Sequence, residues 1–340
     1  MPITRDRLWG VVDQLIDRAP QVEDLVNHRL DVLAARRYRQ TGTVVPPVLV
    51  ARERHSALTT LAGPALLERV RAGCDGPLLV LKGPEVAARY PDPELRPFAD
   101  IDLLAHDAAK AHRSLLRAGF HEVGAPELYR NIHHLRPLCW AELPLVVEVH
   151  SRPKWIEPIA APGAHDLFAD VVPASVGVEG FVAPSPARHA VLIAVHSWAH
   201  EPLRRLRDVV DVAALSIEGD ADEALAAARA WGVERLWSTT VSALDYLFAE
   251  GRKPLALRLW AQNLERARER TVLENHLERW LSDFSALPAP LALRRMPRTL
   301  VGEITPNRGE GWRRKFSRSA LAVRNAARRR SEHESAAGVR

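Results

Sequence analysis

The stretch RPFADIDLL, Arg96–Leu104, sets Asp100 and Asp102 one residue apart inside an apolar run. Read as a strand, its side chains alternate, so both carboxylates share one face while Ile101 and Leu103 look toward a core on the other. Two anions so close repel each other unless cations neutralise them. Mg2+ or Mn2+ suits the pair, because these hard ions take oxygen ligands and keep open positions for substrate phosphates. Alone the D-x-D pattern is weak, since ordinary surface strands and turns contain it too.

Two neighbouring stretches strengthen it. In VVEVH, residues 146–150, Val147 and Val149 face one way and Glu148 and His150 the other. Glu148 is therefore the candidate third carboxylate, and His150 a group that orients it. Upstream, LLVLKG ends a short buried strand over 78–81 in Lys82 and Gly83. Gly83 permits close backbone approach to a polyphosphate, Lys82 supplies positive charge, and Arg96 adds a bidentate phosphate contact. Singly, each has a plainer reading: Gly83 ends a strand, Lys82 is solvated, and Arg96 pairs with Glu94 or a neighbour. Their order along the chain favours the joint reading.

LLVLKGPEVAARYPDPELRPFADIDLLA together with VVEVH resembles the uncharacterised bacterial nucleotidyltransferase family of the polymerase-beta-like superfamily. The resemblance covers residues 78–104 well and 131–152 moderately, and extends to AVLIAVHSWAHEPLRRLRDVVDVAAL, a His-rich segment leading to Arg and Asp. It implies Asp100, Asp102 and Glu148 as the metal carboxylates and Gly83 as the turn glycine. The chain departs from many superfamily members in having Lys-Gly where they have Gly-Ser, and in a long spacing from turn to carboxylates. The activity implied is transfer of a nucleoside monophosphate from an NTP, such as ATP, to an acceptor hydroxyl with release of pyrophosphate. A small metabolite or natural-product intermediate is the favoured acceptor, ahead of an RNA 3′ end or a protein side chain. A non-catalytic nucleotide-binding or antitoxin-like protein stays open beside it. A kinase-like phosphotransferase is disfavoured, because the chain has no H-R-D or D-F-G element.

Around this core the texture is helical. Apolar spacing predicts helices within 1–40 and over about 51–71, and Asp107 and Gly119 bracket another. Strands are expected near 120–123 and 131–139, with His133 and His134 read as strand residues. An α/β or α+β core over roughly 76–152 follows; the resemblance makes it α+β, a small mixed-sheet nucleotidyltransferase core flanked by helical regions. The expected division is an N-terminal helical region (1–75), the core (76–155), a C-terminal helical domain (156–303) and a basic, flexible tail (304–340) with room for one helix around 312–330. Later helices are expected over 186–217, 220–232, 233–250, 254–269 and 271–286. Within the first of them His196, His200, Arg204 and Asp208 recur every fourth residue, a polar stripe on one helical face. His196, His200 and Arg204 are candidates for the wall of a nucleotide site. A structural role at a domain interface or a separate metal site is also open, though no H-E-x-x-H pattern accompanies them.

Bulk properties exclude some classes. Two cysteines, Cys74 and Cys139, rule out a disulfide framework or a cysteine-rich zinc site. The N-terminus lacks an apolar signal-like core and no apolar run is long enough to span a bilayer, so a cytoplasmic protein is expected. The net charge of +5 invites anionic partners, but much of the excess sits in Arg-rich stretches near the C-terminus that solvent alone satisfies.

Overall fold

The protein is described by a computed structural model over residues 3–130, 132–306 and 309–327. Its helices begin with α1 (Arg5–Arg18), α2 (Val22–Asn27), α3 (Asp31–Gln40) and α4 (Pro47–Gly73). There follow β1 (Leu78–Val80), the single turn α5 (Pro84–Ala87), β2 (Asp100–Leu104), α6 (Ala108–Arg117), β3 (His121–Glu122), β4 (Leu138–Cys139) and β5 (Val146–His150). Then come α7 (Ala164–Phe168), β6 (Val171–Pro173), β7 (Phe181–Pro184), α8 (Pro186–His200), α9 (Leu206–Ser216), α10 (Ala221–Ala230) and α11 (Glu234–Phe248). The chain continues through α12 (Leu255–Leu259), α13 (Gln262–Glu265), α14 (Val272–Ala286), α15 (Ala289–Ile304) and α16 (Trp312–Ala327).

The seven strands form one mixed sheet in the order β3-β4-β5-β2-β1-β7-β6, the α+β architecture expected. At its centre β2 pairs parallel with β5 and antiparallel with β1, while β1 pairs parallel with β7. Alternation explains the register. Ile101, Leu103, Val147 and Val149 are buried among Leu66, Leu67 and Val70 of α4 and Ala111 and Leu115 of α6. Each such aliphatic side chain contributes about 1.5–3 kcal/mol on burial. A slip of one residue would drive Asp100 and Asp102 into this hydrocarbon, costing several kcal/mol per unpaired carboxylate. The helix after β2 starts as expected, with the Asp107 side chain accepting from the Lys110 N–H at 2.8 Å.

Several expectations are corrected. PASVGVEGFVAPSP reads as turn-rich, yet Val171–Pro173 and Phe181–Pro184 form a hairpin whose second strand joins β1. These strands are too short to carry an alternation signal. The single helix expected over 186–217 is broken: α8 ends at His200 and α9 starts at Leu206, with Pro202 and a left-handed Leu203 (φ 45°) between them. Proline removes a backbone donor and clashes with the preceding turn, so the helix stops. The strand expected over 131–139 shrinks to β4 plus one bridge, His134 opposite His150; Asn131 lies outside the described residues. The helix allowed for in the tail around 312–330 is α16, and 307, 308 and 328–340 also lie outside the described residues.

The chain divides into two compact units: Met1–Leu30 with His200–Val209 and Val233–Arg340, and Asp31–Ala199 with Val210–Gly232. The sheet-bearing second unit thus takes in more on both sides than residues 76–155. Among the described residues, the named elements of the first are helices, with α14 packing on α11, α15 and α16 and starting from a reciprocal Thr271–Glu274 capping box. Among the described residues no helix is long and apolar enough to cross a membrane.

Each unit is pinned by a buried neutral histidine. In the first, His28 Nε2 donates to the Arg268 carbonyl at 2.9 Å and Nδ1 accepts from the Leu206 N–H at 3.1 Å, which fixes an uncharged ring. In the second, His189 Nε2 donates to the Leu81 carbonyl at 2.7 Å, tying α8 to the end of β1. Burial pushes both rings from 6.5 down to about 4. The unfolded chain therefore binds these protons first, so their contribution is whole above pH 6.5 and is lost as pH falls toward 4. A displacement of that size is worth on the order of 3 kcal/mol per ring. Denaturant midpoints measured against pH should decline already between pH 6.5 and 5, above the carboxylate range. A flat profile in that window would contradict the assignment.

Candidate metal and nucleotide site

The parallel register sets Asp102 opposite Glu148, with Asp100 opposite Val146 and Leu104 opposite His150. Adjacent strands lie about 4.8 Å apart, so Asp100, Asp102, Glu148 and His150 share the face turned away from α4 and α6, where Asp100 stands outside the tight group that the other three form. Ligand atoms of Asp102, Glu148 and His150 all fall within 4.8 Å of one another. His150 Nε2 is 3.0 Å from Asp102 Oδ1 and 3.7 Å from Glu148 Oε2. His134, carried in by its bridge to His150, sets Nε2 at 3.5 Å from the same Glu148 oxygen.

The turn after β1 is fastened to the start of this cluster. Leu81 N–H donates to the Asp102 carbonyl at 2.8 Å. Gly83 adopts φ 72°, and a Cβ there would come within 2.8 Å of the Asp100 carbonyl oxygen. Only glycine allows that approach without displacing backbone, so Gly83 is fixed by both its dihedral and its neighbour. The helix that follows, α5, is one turn long and opens with Pro84, which has no N–H to offer.

The two aspartates are electrostatically unlike. Burial pushes Asp100 up, and the charges of Asp102 and Glu148 push it further, against the opposing pull of Lys82 and Arg96. Burial acts on Asp102 in the same sense, but the His150 hydrogen bond and charge, aided by Lys82 and His196, hold it well below the ordinary carboxylate range. His150 moves the other way: burial lowers it, and its bonds to Asp102 and Glu148 raise it to about 9. Lys154 is depressed by burial and by the charge of Lys82, so two ammonium groups also sit within electrostatic reach of each other here. Crowded carboxylates on hard oxygen donors, one already short of charge compensation, fit a divalent cation.

Not every candidate residue lands as expected. Lys82, Gly83, Arg96 and His196 belong to the same unit as the carboxylates. Arg96, expected on phosphate, is 3% exposed. Its Nε and Nη2 donate to the Asp211 carboxylate at 2.7 and 2.8 Å, and Nη1 to the Gly83 carbonyl at 3.4 Å. Tyr90 donates to the same carboxylate at 2.7 Å. The guanidinium therefore ties Asp211 to the Gly83 turn and braces it. His200 and Arg204 fall in the helical unit, where Arg204 pairs with Glu201 at 2.7 Å. Because the helix breaks between them, the fourfold stripe does not lie on one helical face.

His134, Lys154 and Asp211 escape the sequence reading. Asp211 had a signal: an acid between Val210 and Val212 in an apolar helix needs a buried partner. His134 depends on a one-residue bridge that no pattern announces.

No curated protein and no solved structure matches the chain. One family model does, over residues 25–249, a span that contains the Lys-Gly turn, both aspartates, Glu148 and the buried Asp211. On that match the chain belongs to the family described as uncharacterised nucleotidyltransferase.

Proposed function

We propose that the protein transfers a nucleoside monophosphate from an NTP to an acceptor hydroxyl and releases pyrophosphate, with a small hydroxylated metabolite as acceptor. The observation that carries the reading is the in-register pair Asp102–Glu148 on adjacent parallel strands, with Asp100 two residues along on the same face. Asp100, Asp102 and Glu148 would hold Mg2+ or Mn2+. Bound there, such ions neutralise phosphate charge and acidify an acceptor hydroxyl. Lys82, at the end of the Gly83 turn, offers its ammonium to the phosphates, and Lys154 adds a second cation. Gly83, held against the Asp100 backbone and braced by Arg96, keeps that turn in one geometry while substrates exchange. Glu148, with its side chain 20% exposed, takes the acceptor proton.

The test is incubation with each α-labelled NTP, including ATP, with Mg2+ or Mn2+ and a cell extract fractionated into RNA, protein and metabolites. Label is expected in the metabolite fraction together with free pyrophosphate. Label in RNA or protein would move the acceptor, and nucleotide binding without pyrophosphate release would overturn transfer altogether. Release of ADP in place of pyrophosphate would make the protein a kinase.

A further inference from the structure

His134 Nδ1 lies 2.7 Å from the Leu135 carbonyl oxygen, which only accepts, so Nδ1 carries a proton. Its other nitrogen, Nε2, sits 3.5 Å from Glu148 Oε2. A histidine whose second nitrogen is tied to a carbonyl while the first meets a carboxylate is the arrangement that surrounds metal-bound imidazole. His150 Nε2 approaches that same Glu148 oxygen at 3.7 Å and Asp102 Oδ1 at 3.0 Å. Donors bound to one ion at about 2.1 Å stand roughly 3.0–3.4 Å from each other; the ligand atoms of Asp102, Glu148 and His150 lie within 4.8 Å of one another, with His134 beside Glu148 at the edge of that group, so a bound ion would draw the donors inward. The rings of His134 and His150 are 5.2 Å apart, and the His134 and His150 side chains are 9% and 3% exposed.

We infer that the site has two unlike cation positions. One, between Asp100 and Asp102, is all oxygen. The other, built by Glu148, His150, His134 and Asp102, includes imidazole nitrogen and takes a first-row transition dication such as Mn2+, Co2+ or Zn2+ in preference to Mg2+. Imidazole favours such ions, whereas Mg2+ keeps to oxygen and water. The inference rests on the proposed function only in treating Asp102 and Glu148 as ion ligands. It gives His134 and His150 a role that a carboxylate-only centre does not need.

The experiment uses the full chain loaded with Mn2+ alone and pulsed electron paramagnetic resonance, which registers nitrogen bound to the ion. Coupling to imidazole nitrogen is expected, and it should weaken in both His134→Gln and His150→Gln. Calorimetric titration should show Co2+ affinity falling about 10- to 100-fold in His134→Gln, while Mg2+ affinity changes less than about threefold. His150 is buried, so circular dichroism checks that its variant folds; the more accessible His134 keeps the test decisive if it does not. Mn2+ binding without nitrogen coupling overturns this inference and leaves the carboxylate site standing. No Mn2+ binding at all overturns both.

Discussion

Asp102→Asn is expected to keep its fold and to lose nucleotidyl transfer by about a thousandfold or more, equivalent to roughly 4 kcal/mol of transition-state stabilisation. The fold survives because the asparagine oxygen still accepts from His150 Nε2 at the position now held by Asp102 Oδ1. Activity does not, because the amide carries no charge at the one residue shared by both proposed cation positions. Asp100→Asn should follow the same course for a different reason: Asp100 is the carboxylate that burial and its anionic neighbours already push up, so it depends most on a bound cation for its charge. Pyrophosphate release by each purified variant, with circular dichroism alongside, checks both. Turnover within a few-fold of the parent in Asp102→Asn would remove the assignment.

The legible part of this chain was the part governed by short-range periodicity. Alternation in DIDLL and VVEVH placed both strands, and it placed Asp100, Asp102 and Glu148 on a shared face, because a strand's two-residue period leaves no other choice once the aliphatic face is buried. Asp107 announced a helix start for an equally local reason. What could not be read was set by distant partners. The β6–β7 hairpin is recruited by β1 across about a hundred residues, and its strands are too short to declare themselves. The partner of Arg96 is 115 residues away, so the residue reads equally well as a phosphate ligand or as a brace until the fold is seen. The broken α8–α9 helix is a different case. Pro202 was visible as a breaker, and the apolar spacing on either side of it obscured the break.

That long-range brace carries the other large expectation. Asp211→Ala should destabilise the protein by about 3–5 kcal/mol, because it strands the Arg96 guanidinium, 3% exposed, without its counter-charge. Tyr90 loses its acceptor in the same step. Replacing both ends, in Arg96→Met with Asp211→Leu, should cost clearly less than Asp211→Ala alone, since no buried charge or acceptor-seeking guanidinium then remains. The double variant should nonetheless work poorly. Arg96 also donates to the Gly83 carbonyl, so the turn that lies against Asp100 loses its restraint even where stability is recovered. Denaturant unfolding of Arg96→Met, Asp211→Leu and the double, read as a thermodynamic cycle, isolates the pair: a favourable coupling energy of a few kcal/mol is the mark of the buried pair. Additive singles, or an Asp211→Ala cost below about 1 kcal/mol, would mean that the pair neither holds the fold nor braces the turn.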